Sequence, residues 1–206
     1  ARNSSWEAIA TFRRAAATLG YRLPETVGKL HVGLSVARAQ AALVGWSDAR
    51  ADALPEITDP QQAALLRLML RTTTAAYNAS ADVYAVLSCD LARLGLRAGA
   101  SLATAWGLAN LAVVQSAALR RHDFGYSLGQ AARRMFARFE PHPLSAHECS
   151  FWQVVLVPVK GPLSSTLAPL REGFDAGLAA GQGCTRASTR ASGWCTWRSP
   201  ESRWTG

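Results

Sequence analysis

Residues 101–140, SLATAWGLANLAVVQSAALRRHDFGYSLGQAARRMFARFE, constrain the fold more than any other stretch. Leu102, Ala105, Leu108, Ala109, Ala112, Val113 and Ser116 recur with the period of an α-helix and follow Ser101, a residue type suited to accept from the free amides of a first turn. The polar run Arg120, Arg121, His122, Asp123 interrupts that pattern. A second periodic set, Tyr126, Leu128, Gly129, Ala132, Met135, Phe136 and Phe139, then begins. Two apolar helical faces separated by so short a break predict an antiparallel helix pair. Gly125 and Gly129 lie one turn apart in the second helix, where each glycine costs about 1 kcal/mol against alanine. Together with Ala132 they read as small residues kept for close backbone approach, so the stretch is a packing motif rather than a reaction site.

The rest of the chain repeats this logic. Trp6, Ile9, Phe12, Ala16 and Leu19 predict a first helix that Gly20 closes in a left-handed cap, with Leu23 and Pro24 as the turn. Leu30, Leu34, Val36, Ala37, Ala41 and Val44 mark a second helix from Lys29 to about Trp46, and a polar loop over 47–58 follows. Asp59 before Pro60 is an N-cap acceptor followed by a residue whose missing N–H costs nothing at that position. The third helix it starts runs to about Tyr77 through Ala63, Leu66, Leu70 and Thr74. Ser80 caps a fourth, faced by Val83, Val86, Leu87, Leu91 and Leu94 and ending over 95–99. After the central pair, Pro143 or Ser145 opens a seventh helix with Phe151, Trp152, Val155 and Leu156 inward. An eighth opens at Pro162 or Ser164, or later with Pro169 in its first turn, the start favoured here, and turns Leu167, Leu170, Phe174 and Leu178 inward.

The expected fold class is therefore all-α. Helix pairs recurring every 35–45 residues, roughly, point to antiparallel hairpins stacked as a TPR-like α-solenoid over residues 1–182. An irregular single bundle is the alternative.

The core GYxxGQxA at Gly125, Tyr126, Gly129, Gln130 and Ala132, the later PLREGFxAGLxxG at 169–181, and LGYRLPETVGKL at 19–30 together resemble the TPR-like helical segment of large bacterial signalling proteins. Those proteins join a serine/threonine-kinase-like domain, an AAA-type ATPase, this segment, a GAF domain and a histidine kinase. The likeness covers residues 5–182, and none of the family's catalytic motifs falls within it. It implies a kinase-associated and ATPase-associated interaction segment whose partners are the neighbouring ATPase and sensor-kinase domains, or another protein.

The motifs of catalysis are missing as well. There is no phosphate-binding GxxxxGK[ST] loop, HExxH, GxSxG or kinase HRD and DFG set. His142, His147 and Glu148 form the nearest thing to an acid/base or metal cluster, and they define a rival reading as a standalone helical enzyme. The two histidines stand five apart across Pro143, which does not align them on one helical face, so a structural or exposed role is expected. Asp82 and Asp90 are expected to be exposed, opposite the face marked by Val83, Leu87 and Leu91. Cys89, Cys149, Cys184 and Cys195 form no CxxC pair, so zinc and a disulfide framework are not expected, and Cys89 and Cys149 read as core thiols. No cofactor, metal or small-molecule substrate is expected. Trp6, Trp46, Trp106 and Trp152 occupy helical apolar positions and read as core, while Trp106 with Tyr126 could instead line the groove of a solenoid and form an interaction site.

A net charge of +8 raises the question of nucleic acid. Of 22 basic residues, only Lys29 and Lys160 are lysine; the arginines are dispersed, with pairs at 13–14, 120–121 and 133–134, and read as solvated helix faces. A nucleic-acid-binding helical repeat using those pairs is the second rival. Mean hydropathy of +0.03 and the lack of an apolar run of about 18 residues argue against a membrane span. The first 16 residues lack the apolar stretch of a secretory signal, so a cytoplasmic location is expected and the Asn3 and Asn78 sequons carry no meaning.

Residues 183–206, GCTRASTRASGWCTWRSPESRWTG, break every pattern above. They lack helical period and carry a net charge of +3. They read as an irregular basic tail, produced by a reading-frame shift near 181–183 or else a native disordered linker.

Overall fold

The structure is a computed structural model that describes residues 2–139, 161–167 and 171. Among the described residues there are seven α-helices and no strand: α1 Arg2–Thr18, α2 Lys29–Ala42, α3 Asp48–Asp52, α4 Pro60–Ala79, α5 Ala81–Ala98, α6 Leu102–Val113 and α7 His122–Ala137. The expected all-α class is thus observed. The seventh and eighth expected helices and the 183–206 tail lie outside the described residues, apart from a 3-10 turn at Leu163–Thr166. Leu167, expected inward, is 66% exposed there.

Helix starts follow local chemistry. Asp59 accepts from the amides of Gln61 at 2.8 Å and Gln62 at 3.3 Å, with Pro60 as the first helical residue. Those two backbone donors hold the Asp59 carboxyl below its ordinary pKa. Ser80 accepts from Val83 N at 3.4 Å and Ser101 from Thr104 N at 3.1 Å. Gly20 closes α1 at φ +81, in the expected left-handed cap.

At the centre is α6. Every residue from Ala103 to Ala112 is buried, so α6 has no solvent face, in contrast to the one-sided helix its periodicity predicts. It is packed by α5 on one side and α7 on the other, and α4 also reaches it. Small residues permit this. A Cβ on Gly107 would stand 2.7 Å from Ala92 N and 2.9 Å from Ala92 Cα; one on Gly125 would stand 2.7 Å from Ala112 O and closer still to Ser116 Oγ. Both glycines therefore let two helix backbones touch, as expected for Gly125. Beyond Val113 the helix widens into a π turn, Val114–Ala118, and the chain reverses through Arg120 at φ +53 before α7. His122 and Asp123, read as part of the break, belong to the first turn of α7.

The outer layer is built differently. α1 packs on α4 and α2 on α5, whereas α1 and α2 make at most marginal contact with each other. The first two helices are therefore not the hairpin expected of them. They straddle the α4–α5 hairpin instead. Ile9, Phe12 and Ala16 bury the inner side of α1, while Trp6, expected in the core, is 42% exposed.

The apolar set that marks α2 does not identify its buried side. Ser35 and Ala39 are buried and Leu43 follows them, but Leu30 is 90%, Leu34 49% and Val44 75% exposed. Small residues on the inner side bring the helix close to α5, and the larger leucines are left outward. α2 ends at Ala42 rather than near Trp46, and the expected loop contains α3, which Ser47 caps by accepting from Arg50 N at 3.2 Å. After α3, the chain crosses the α5–α6 turn: Ala100 N donates to Pro55 O at 2.6 Å and Ile57 N to Ala100 O at 3.2 Å.

Candidate functional site

The most concentrated buried chemistry lies on α5, where sequence reading expected an exposed carboxylate. Asp90 is 6% exposed. The Tyr21 hydroxyl donates to its Oδ2 at 2.8 Å, and Arg93 Nη2 donates to Oδ1 at 3.3 Å. The periodic argument failed because α5 is covered on several sides: α2, α4 and α6 all pack against it. Nothing near Asp90 in sequence announces Tyr21, 69 residues away. Burial, and then the Asp90 charge, push the Tyr21 phenol well above its ordinary pKa. It stays protonated and serves as a fixed donor, not a proton carrier. The next residue, Cys89, is fully buried as expected of a core thiol, and burial followed by Asp90 pushes it up to about 12. A thiol so shielded is no nucleophile at neutral pH. Asp82, the other carboxylate considered, is partly exposed and meets Lys29 Nζ at 2.7 Å.

A second polar group joins α5 to α6. Tyr84 donates to Asn110 Oδ1 at 2.7 Å, and burial raises the phenol to about 12. Gln115 sits fully buried in the π turn; its carbonyl accepts from Arg121 N at 2.9 Å, and its side-chain amide has no hydrogen-bond partner. Asn110 and Gln115 are buried among neighbouring helices, while Tyr84 is partly buried. They join neighbouring helices.

The two residues proposed for a groove fall in different environments. Trp106 is 7% exposed and meets Phe136 edge to face at 6.4 Å, the packing expected of a core tryptophan. Tyr126 is half-buried and its hydroxyl accepts from Gln130 Nε2 at 3.0 Å. Gly129 and Ala132 are buried on α7 with Gly125. Trp46 is partly buried against the core. His142, His147, Glu148, Cys149 and Trp152 lie outside the described residues. Among the described residues no group of three His, Cys, Asp or Glu could hold a metal. None of the described helices is long and apolar enough to cross a membrane.

The arginine pairs are more than solvated faces, because one member of each ties two elements together. Arg13 Nη2 donates to Pro24 O at 2.8 Å and Glu25 O at 2.7 Å, holding the turn after α1. Arg121 Nη1 donates to Gln40 Oε1 at 3.0 Å, joining α7 to α2. Arg134 Nε donates to Asp52 Oδ1 at 3.0 Å and its Nη2 lies 3.3 Å from Asp48, so α3 is fastened to α7. The Asp52 hydrogen bond raises the Arg134 pKa further. Such partners are distant in sequence and leave no local signal.

Among the described residues, several exposed apolar side chains gather on α2 and just beyond it: Leu30, Leu34 and Val44, with Ala37 and Ala41 between them, and no acidic residue in the helix. Comparison with known proteins adds no relative: no family model, curated protein or solved structure matches the chain.

Proposed function

We propose that the chain is a non-catalytic interaction and relay segment, a TPR-like stack of helices that couples an ATPase to a sensor kinase within a longer signalling polypeptide. The observation that carries this reading is the outward face of α2, where leucines 90% and 49% exposed stand on a helix whose other side is packed. Large exposed apolar patches on otherwise well-packed bodies mark binding surfaces. The succession α4, α5, α6, α7, each packed on the next, supports the stacked arrangement. The sequence likeness supplies the proposed neighbours. Binding to those neighbours, and not turnover, is the activity expected.

The test is direct. Purified chain incubated with magnesium and ATP is expected to release no phosphate above background and to transfer none. Intrinsic ATP hydrolysis or phosphotransfer overturns the reading. Retention of DNA or RNA in a gel shift at low salt, lost steeply as salt rises, supports the nucleic-acid rival instead.

A further inference from the structure

The exposed apolar residues of α2 are not scattered. Leu30, Leu34, Ala37 and Ala41 of α2, and Val44 in the turn just beyond it, are all exposed and follow one another at intervals of four, three, four and three, the seam spacing of a coiled coil. The opposite side, Ser35 and Ala39 of the helix and its C-cap Leu43, is buried. α2 thus carries two apolar stripes, one used by α5 and one facing solvent.

The residues that flank the outer stripe set its charge. Arg38 and His31 lie along one side, both exposed. Gln40 lies along the other, and its Oε1 holds the Arg121 guanidinium at 3.0 Å, which brings a positive charge to that edge too. Lys29, 86% exposed, stands at the N-terminal end, where Asp82 pairs with it. Positions beside a coiled-coil seam select the partner by charge. A second copy would set basic flank against basic flank in either orientation, which costs stability. An acidic helix satisfies both the stripe and its flanks.

We propose that the outward face of α2 docks one amphipathic helix of another protein or domain, with leucine-like side chains on its seam and carboxylates beside it. This rests on the reading of the chain as a binding module and specifies its partner. The 14 residues of α2 span about 21 Å, enough to seat two heptads.

The experiment uses the full 206-residue chain and a fluorescein-labelled synthetic peptide of about three heptads, with Leu on the seam and Glu on both flanks. The peptide's own acidic flanks keep it from pairing with itself. Fluorescence anisotropy is expected to show saturable binding that weakens at least tenfold in Leu34→Glu. Arg38→Glu, at an exposed position, is expected to weaken the Glu peptide several-fold and to strengthen a matching peptide with Lys flanks. Circular dichroism confirms that each variant keeps its helix content; should Leu34→Glu unfold, the Arg38 charge swap decides alone. No binding to the unaltered chain, or equal affinity for Arg38→Glu with both peptides, overturns the proposal. So does self-association in sedimentation that Leu34→Glu abolishes, which assigns the stripe to a second copy, or displacement of the peptide by anionic lipid vesicles. ATP turnover is measured on the same preparation: its appearance defeats the binding-module reading, whereas peptide failure without turnover defeats only the partner assigned.

Discussion

The trio α5, α6 and α7 and the outer helices α1, α2 and α3 share one apolar core, yet they differ in what is added to it. In the trio, backbones meet at Gly107 and Gly125, and Leu87, Leu91, Leu108 and Leu128 are fully buried. In the outer layer, the ties include hydrogen bonds and ion pairs: Arg13 to the 24–25 carbonyls, Tyr21 to Asp90, Arg121 to Gln40 and Arg134 to Asp48 and Asp52. Interior dispersion and desolvation scale with contact, whereas exposed ion pairs contribute about 0–1 kcal/mol each. The exposed ties therefore add placement more than stability to an outer layer that has its own buried share of the core in Ile9, Phe12 and Ala16.

The contrast can be broken most severely by Leu108→Ala. At a fully buried site this truncation is expected to cost about 2–5 kcal/mol in urea unfolding, and a loss below about 1 kcal/mol would mean that α6 is not the centre of the core. Gly107→Ala comes next, at about 1–3 kcal/mol, because the added methyl meets the Ala92 backbone, which cannot rotate aside as a side chain can. Tyr21→Phe probes the boundary between the regions. It removes the donor to a buried carboxylate and is expected to cost about 1–3 kcal/mol, whereas a loss near zero would show Arg93 sufficient by itself.

Alkaline titration sharpens the same comparison. Cys89 is raised from 9.0 to about 12 by burial and by Asp90, so above pH 9 the unfolded chain releases a proton that the folded chain retains. Stability is thus full below that pH and falls as pH rises toward 12, by on the order of 1 kcal/mol at about pH 10. Replacing Cys89 by Ala is expected to flatten that part of the pH profile, and an unchanged slope would assign it to Tyr21 and Tyr84. The smallest effect belongs to the outer layer: Leu30→Ser, at a position 90% exposed, is expected to shift stability by less than about 0.5 kcal/mol. A larger loss would place Leu30 under something that covers it.

The same division governs what could be read from sequence. Helix starts at Asp59, Ser80 and Ser101 were legible because a cap acts within three residues of itself. Gly125 was legible because a helical glycine has few reasons to persist other than close approach. Periodicity located α2 without identifying its buried side, since it reports that an apolar stripe exists without saying what covers it. Here Ser35 and Ala39 face inward and Leu30 faces water. α3 is five residues long, too short to express a period. Asp90 misled because its donor Tyr21 comes from a distant turn. The candidate surface was visible as residues but not as a surface, for exposure is a property of the assembled layers.

Backbone contact at Gly107 and Gly125 also has a mechanical meaning. Two helices separated by side chains can slide by exchanging rotamers, but helices whose main chains touch have no such compliance. A Cβ-sized gap is already absent between α5 and α6 and between α6 and α7. On the relay reading proposed above, the three are expected to move as one lever. On that reading a displacement is expected to be taken up at the outer joints, where Arg13, Arg121 and Arg134 hold oxygens of other elements at the surface.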